Sequence, residues 1–133
     1  MTEEQTILSK RAVACPKWRL MPGMLTDEGR RVMQVWPDNL GIKWSHLLDN
    51  RVVRDADALP DLTDAATLGC LLALVREAWG CVVVTSPDYD EDEVGCQGWS
   101  VIGWRAIETV RWTMVGEGPT EAEALVAALE GAP

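Results

Sequence analysis

The strongest local chemical signal in this chain is a run of acidic residues. Asp88-Tyr89-Asp90-Glu91-Asp92-Glu93 places five carboxylates within six positions. An EF-hand loop would need alternating oxygen ligands, a central glycine and a distal glutamate, and Gly95 is misplaced for that pattern. We therefore predict no metal site here. Two interpretations stay open: a solvated loop, or a negative contact loop for Lys and Arg side chains of a partner.

Residue types that commonly catalyse reactions are scarce. His46 is the single histidine, and Ser45 and Asp49 lie near it in sequence. On a strand Ser45 and His46 would point to opposite faces, so their adjacency is no evidence for a catalytic triad. The chain has no motif of a phosphate-binding loop, a zinc protease or a nucleophile elbow. The cysteines, none of them in a CxxC pair, are Cys15, Cys70, Cys81 and Cys96. We predict no catalytic residue, no cofactor and no enzymatic activity.

Net charge indicates what kind of partner to expect. The chain holds 12 basic and 21 acidic residues, a formal net charge of -9. Such a charge repels phosphate backbones, which argues against direct nucleic-acid binding, and it attracts basic protein surfaces. Residues 1–15 carry charges where a secretory signal would be apolar, and no apolar run approaches the roughly 20 residues of a membrane span. We predict a cytoplasmic protein with no membrane contact.

Tryptophan usage is unusual, with seven Trp, one Tyr and no Phe in 133 residues. Most of these rings should lie in the core, because each one buries about 150–250 Å². One or two should remain partly exposed, and tryptophan is a favoured interface anchor. We therefore place Trp99 and Trp104 with the acidic run as predicted partner-binding residues.

A chain of this length predicts one domain over residues 1–133. Residues 1–59 are expected to form an N-terminal helix plus short strands, and residues 60–133 an α/β sandwich core. In the first part the pattern indicates a hairpin loop at 26–29 and a helix over 3–13. The predicted strands of this part are 18–21, 31–36, 42–48 and 51–54.

The second part has clearer periodicity. A helical stripe begins after Asp64, runs to Trp79 and is followed by Gly80. Three strands follow, at 81–86 (a central strand), 99–104 and 106–115, and in the last of them Val110, Trp112 and Met114 alternate with polar residues. That alternation predicts a buried apolar face. A capping box of Thr120 and Glu123 then begins the last helix. The expected fold is α+β, with helix–three antiparallel strands–helix and a strand-rich N-terminal extension.

Two segments resemble small bacteriophage-encoded proteins of unassigned function. They are residues 60–80 (PDLTDAATLGCLLALVREAWG) and 118–130 (GPTEAEALVAALE). Their arrangement is similar to the phage ABA-sandwich domain over residues 60–131, and the resemblance implies origin and architecture but no active site. The same element order is similar to double-stranded RNA-binding domains. There the last helix begins with a basic cluster, whereas here it begins with the acidic Thr120-Glu121-Ala122-Glu123.

These observations predict a non-enzymatic phage accessory protein that acts by protein–protein binding in the host cytoplasm. The specific hypothesis is an inhibitor of a host nucleic-acid-directed defence complex, similar to anti-CRISPR proteins. One alternative is a phage structural or assembly subunit, or a self-associating housekeeping protein, which leaves homo-oligomerisation open. Another is a small-molecule binder or an enzyme. The predicted partner-binding residues are Asp88, Asp90, Glu91, Asp92, Glu93, Trp99 and Trp104.

Overall fold

A computed structural model describes residues 1–35, 42–44, 58–89, 95–107 and 109–133. The elements in this part of the chain are α1 (Glu3–Ala14), β1 (Val32–Val35), β2 (Ile42–Trp44), α2 (Ala65–Trp79), β3 (Val82–Tyr89), β4 (Cys96–Ile107), β5 (Thr109–Gly118) and α3 (Glu121–Glu130). The chain forms two compact units, one of residues 1–13 and 19–70 and one of residues 14–18 and 71–133. The fold class is α+β, as predicted.

In the first unit, β1 and β2 pair in an antiparallel ladder. The predicted loop at 26–29 is confirmed, because Leu25 bridges Arg31 across it and Gly29 adopts a φ of 74°. A positive φ of this kind favours glycine. The predicted strand at 18–21 is wrong: local turns use its backbone groups, with the Trp18 N–H donating to the Cys15 carbonyl over 2.9 Å.

The strand-rich N-terminal extension is not confirmed. The strand predicted at 31–36 corresponds to β1, and the first residues of the strand predicted at 42–48 correspond to β2. Residues 45–48, the predicted strand at 51–54 and His46 lie outside the described residues.

The second unit contains an antiparallel sheet in the order β3-β4-β5. The strand predicted to be central, at 81–86, is therefore an edge strand, because β4 lies between β3 and β5. β-branched residues favour a strand but do not fix its neighbours. The last strand begins at Thr109 rather than at Ala106, since Ala106 and Ile107 belong to β4.

Helix α3 packs on one face of this sheet, and α2 also packs against the sheet. The side chains of Val83 and Val101 are fully buried, and the Thr85 hydroxyl donates to the Glu121 carboxylate over 2.7 Å. Gly116 and Gly118 allow α3 to approach. A Cβ built on Gly116 would lie 2.7 Å from the backbone nitrogen of Ala128.

The helix ends follow the predicted capping chemistry. Thr120 and Glu123 form the reciprocal capping box of α3. Asp64 caps α2 by accepting the Thr67 N–H over 2.9 Å, and Gly80 follows its last residue with a φ of 61°. In the part of the chain that the structure describes, none of the helices combines the length and the apolar character needed to span a membrane.

Candidate functional site

The face of the three-stranded sheet opposite α3 is the candidate site, and we call it the outer face. Side chains alternate between the two faces of a sheet, so the positions next to Val83 and Val101 point away from α3. Strand register aligns two apolar rows, Val82, Trp104 and Trp112 in the first and Val84, Ile102 and Met114 in the second. The polar positions of the outer face are Ser86, Asp88, Ser100 and Glu117.

The apolar rows of the outer face are open to solvent. Trp112 is 61% exposed, Met114 57% and Val82 52%. The sequence predicted that the face of Trp112 and Met114 would be buried, and this prediction is wrong. The reason is that α3 covers the opposite face, where Gly116 and Gly118 carry no side chain. Apolar groups left exposed together on a folded protein are typical of a contact surface.

Two stacked tryptophans lie at the apolar end of the outer face. The rings of Trp104 and Trp112 stack with their centroids 5.9 Å apart and an angle of 24° between their planes. The indole nitrogen of Trp104 is shielded from solvent and finds no acceptor among the described residues. Packing rather than hydrogen bonding therefore holds this pair, which presents one broad aromatic surface with Trp112 outermost.

Carboxylates occupy the other end of the same face. The buried Ser100 hydroxyl lies 2.9 and 2.8 Å from the two carboxylate oxygens of Asp88, to which it donates. Glu117 is opposite Ser100 in the register of β4 and β5, and both Asp88 and Glu117 are exposed. A strand rises about 3.3 Å per residue, so Glu117 lies roughly 10 Å from Met114 along β5, and Asp88 lies roughly 13 Å from Val84 along β3. The outer face thus combines an apolar half with an anionic half.

The structure places two of the predicted partner-binding residues at opposite ends of the outer face and a third on the other face of the sheet. Asp88 and Trp104 both lie on the outer face. Trp99 shares the α3 face with Val101 and is half-buried. Asp90, Glu91, Asp92 and Glu93 lie outside the described residues, and their role stays a prediction.

Sequence reasoning missed the most exposed members of the outer face. Trp112 and Met114 were expected on the buried face of an alternating strand, and Val82 was part of a strand expected to be central. A usable signal was present in β4, where Trp99 and Val101 alternate with Ile102 and Trp104, so that both faces of one strand are apolar. A single layer of helices covers only one face of a sheet, which leaves the other face for a different contact.

A second polar cluster, in the first unit, has a structural role. The Arg31 guanidinium donates to both oxygens of Asp64 over 3.0 and 3.2 Å, and the Thr67 hydroxyl donates to the same carboxylate over 2.9 Å. Hydrogen bonds from Arg31 hold the pKa of Asp64 well below its usual range. Burial raises the pKa of the nearby Cys70 thiol, which disfavours a reactive thiolate.

The described residues contain no group of three or more His, Cys, Asp or Glu side chains arranged to hold a metal ion. Comparison with protein-family models, with curated proteins and with solved structures gives no match. The phage resemblance over residues 60–131 stays a prediction, and function is inferred from the geometry and charge of this chain's own surfaces.

Proposed function

We propose that this chain is a non-catalytic protein-binding module whose contact surface is the outer face. The observation that carries the proposal is the exposure of Trp112, 61%, beside the similarly exposed Met114 and Val82. Tryptophan is enriched among the residues that contribute most to binding energy, because its large ring excludes water when a partner covers it. Methionine beside it adapts to the shape of what binds.

Charge supports a basic partner. Asp88 and Glu117 end the outer face with two exposed carboxylates, and the whole chain carries a formal net charge of -9. A complementary surface would present apolar side chains to Trp112 and Met114 and a Lys or Arg about 10 Å away. The same charge disfavours bare nucleic acid as the ligand.

The specific role that we propose is inhibition of a host nucleic-acid-directed defence complex, by stoichiometric binding in the host cytoplasm. A complex that holds nucleic acid presents Lys and Arg side chains along its channel, and an anionic protein is attracted to them. The outer face would supply the apolar anchor for that contact. The biological setting is taken from the predicted resemblance of residues 60–131 to phage-encoded proteins.

Replacing Met114 with lysine tests the contact surface. The buried ammonium group would meet apolar partner atoms, so Met114→Lys should weaken capture of the protein's partner from host extract at least tenfold, which corresponds to about 1.4 kcal/mol. The measurement is quantitative affinity capture with mass spectrometry, followed by titration of the purified partner.

Met33→Lys is the matched control, because Met33 lies on β1 and is 54% exposed. It should retain full capture. Equal capture by both variants would remove the outer face from the mechanism. The defence role is tested separately by phage plating on a host with such a defence system: wild type and Met33→Lys should raise plating, and Met114→Lys should not. Unchanged plating with intact partner capture would contradict the inhibitor role alone.

A further inference from the structure

The described residues leave the outer edge of β5 uncovered, and the register of β5 with β4 is irregular at Val115. β5 lies at one end of the order β3-β4-β5, and no described strand pairs with its other side. From Trp112 to Gly116 it carries neither a charge nor a proline, and Trp112, Thr113 and Met114 are all exposed. Proteins normally guard such an edge with charged side chains, proline or a covering segment, because its unpaired amides and carbonyls accept a further strand.

The opposite edge of the sheet is guarded. Strand β3 includes Pro87, which has no N–H to donate, and the charged Asp88. The acidic run of residues 88–93 begins at the end of this strand and adds further charge there. Of the two edges of this sheet, the edge of β5 is therefore the one to which a second strand adds more readily.

The charge pattern of β5 favours a second copy of the same strand. Thr109–Gly118 carries one basic residue, Arg111, and one acidic residue, Glu117, so it is neutral within a chain of net charge -9. An antiparallel pair centred on Thr113 keeps the two Arg111 positions apart and the two Glu117 positions apart. A parallel pair would place like charges together, which is unfavourable.

An antiparallel pair centred on Thr113 also matches the apolar side chains. Each Trp112 then faces the Met114 of the second copy, a sulfur–aromatic contact on the outer face. Helix α3 packs closely on Gly116 and Gly118, which lie three and five residues beyond Thr113. In the pair, the two copies of this helix–strand contact therefore lie on opposite sides of the two-fold axis.

We infer that two copies of this chain pair edge to edge through β5 in an antiparallel, two-fold arrangement, forming one six-stranded sheet. The inference goes beyond the proposed function, because self-pairing requires only β5. It gives the dimer a doubled outer face, in which Trp112 and Met114 of both copies lie side by side.

The test is sedimentation velocity from about 1 µM to about 1 mM, the range in which weak dimers assemble. Wild type should form a dimer that tightens with added salt, because salt screens the repulsion between two anionic copies. Thr113→Lys places two ammonium groups opposite each other and should raise the dissociation constant at least tenfold. Val82→Lys, a change at another exposed position but on the guarded edge, should alter the dissociation constant less than twofold while weakening partner capture.

Hydrogen exchange locates the contact: β5 amides should exchange more slowly at high protein concentration than at low concentration. A wild type that stays monomeric over the whole range overturns the inference. The inference is also overturned if Thr113→Lys leaves the dimer intact. It is equally overturned if Val82→Lys dissociates the dimer whereas Thr113→Lys does not. Each of these results leaves the Met114→Lys capture test of the proposed function intact.

Discussion

Asp64 joins two parts of the first unit, Arg31 beside β1 and the first turn of α2, through one carboxylate. It accepts both guanidinium donors of Arg31, it caps the first turn of α2 through the Thr67 N–H, and it also receives the Thr67 hydroxyl. The same hydroxyl accepts the Leu25 N–H over 2.8 Å. These bonds explain the lowered pKa of Asp64, and they make this residue a determinant of stability rather than of binding.

Two substitutions separate the cap from the charge. Asp64→Ala removes both and should lower the free energy of unfolding by about 1–2 kcal/mol, since a lost N-cap alone typically costs about 1 kcal/mol. Asp64→Asn keeps a good capping side chain and loses the ion pair, which is worth about 0–1 kcal/mol at a partly exposed site. Urea unfolding at pH 7 should therefore rank wild type above Asp64→Asn, and Asp64→Asn above Asp64→Ala.

The charge contribution should depend on pH in a defined direction. The pKa of Asp64 is lower in the folded chain than the value of about 3.9 expected when unfolded, so folding favours the carboxylate. Its stabilisation is fully present above about pH 5 and is lost progressively as the pH falls toward the folded pKa. The difference in unfolding free energy between wild type and Asp64→Asn should shrink between pH 7 and pH 3. A difference that stays constant or grows would contradict the ion-pair assignment.

At the scale of elements, the absence of two side chains decides which face of the sheet α3 covers. Gly116 and Gly118 allow the helix to pack directly on β5, and a Cβ at Gly118 would lie 2.8 Å from that of Glu123. The outer face, with Trp112 and Met114, is exposed as a consequence. The position of the helix on the sheet therefore determines where the candidate contact surface lies.

Gly116→Ala tests this packing. The added Cβ would crowd the Ala128 backbone, and overpacking of this kind costs about 1–3 kcal/mol of stability. Gly69→Ala is the control: its Cβ meets nothing within 4 Å in α2, and alanine should stabilise a helix by about 0.5–1 kcal/mol. Thermal unfolding should shift in opposite directions for the two variants. A neutral Gly116→Ala would mean that α3 does not approach β5 closely.

Elements set by local interactions were predictable from the sequence. The Thr120–Glu123 capping box, the Asp64 cap and Gly80 act within a few residues, and the helices begin and end accordingly. The order of the strands in the sheet was less predictable, because the sequence of β3 has the same apolar pattern whether the strand has one neighbouring strand or two.

The candidate site was only partly predictable. Asp88 and Trp104 were named from charge and residue type, and both lie on the outer face. The role of Trp112 and Met114 was missed, because an alternating apolar strand has the same pattern whether its apolar face is covered or open. Tertiary packing by α3, signalled only by glycines, makes the distinction.

For the whole molecule, charge and apolar surface act together. In the proposed complex, a formal net charge of -9 would speed the encounter with a basic partner, and the apolar rows of the outer face would hold the two proteins together. The two proposed contacts therefore respond oppositely to salt. Partner binding should weaken as ionic strength rises, whereas pairing through β5 should strengthen, since only the dimer brings like-charged molecules together.

The central claim is that a partner covers the outer face, and hydroxyl-radical footprinting of the captured complex tests it most directly. Trp112 and Met114 are both exposed and carry oxidisable side chains, and Met33 serves as an internal reference of similar exposure. The account predicts that complex formation slows oxidation of Trp112 and Met114 at least fivefold and leaves Met33 unchanged. Oxidation of Trp112 and Met114 at the same rate in the complex as in the free protein would contradict it.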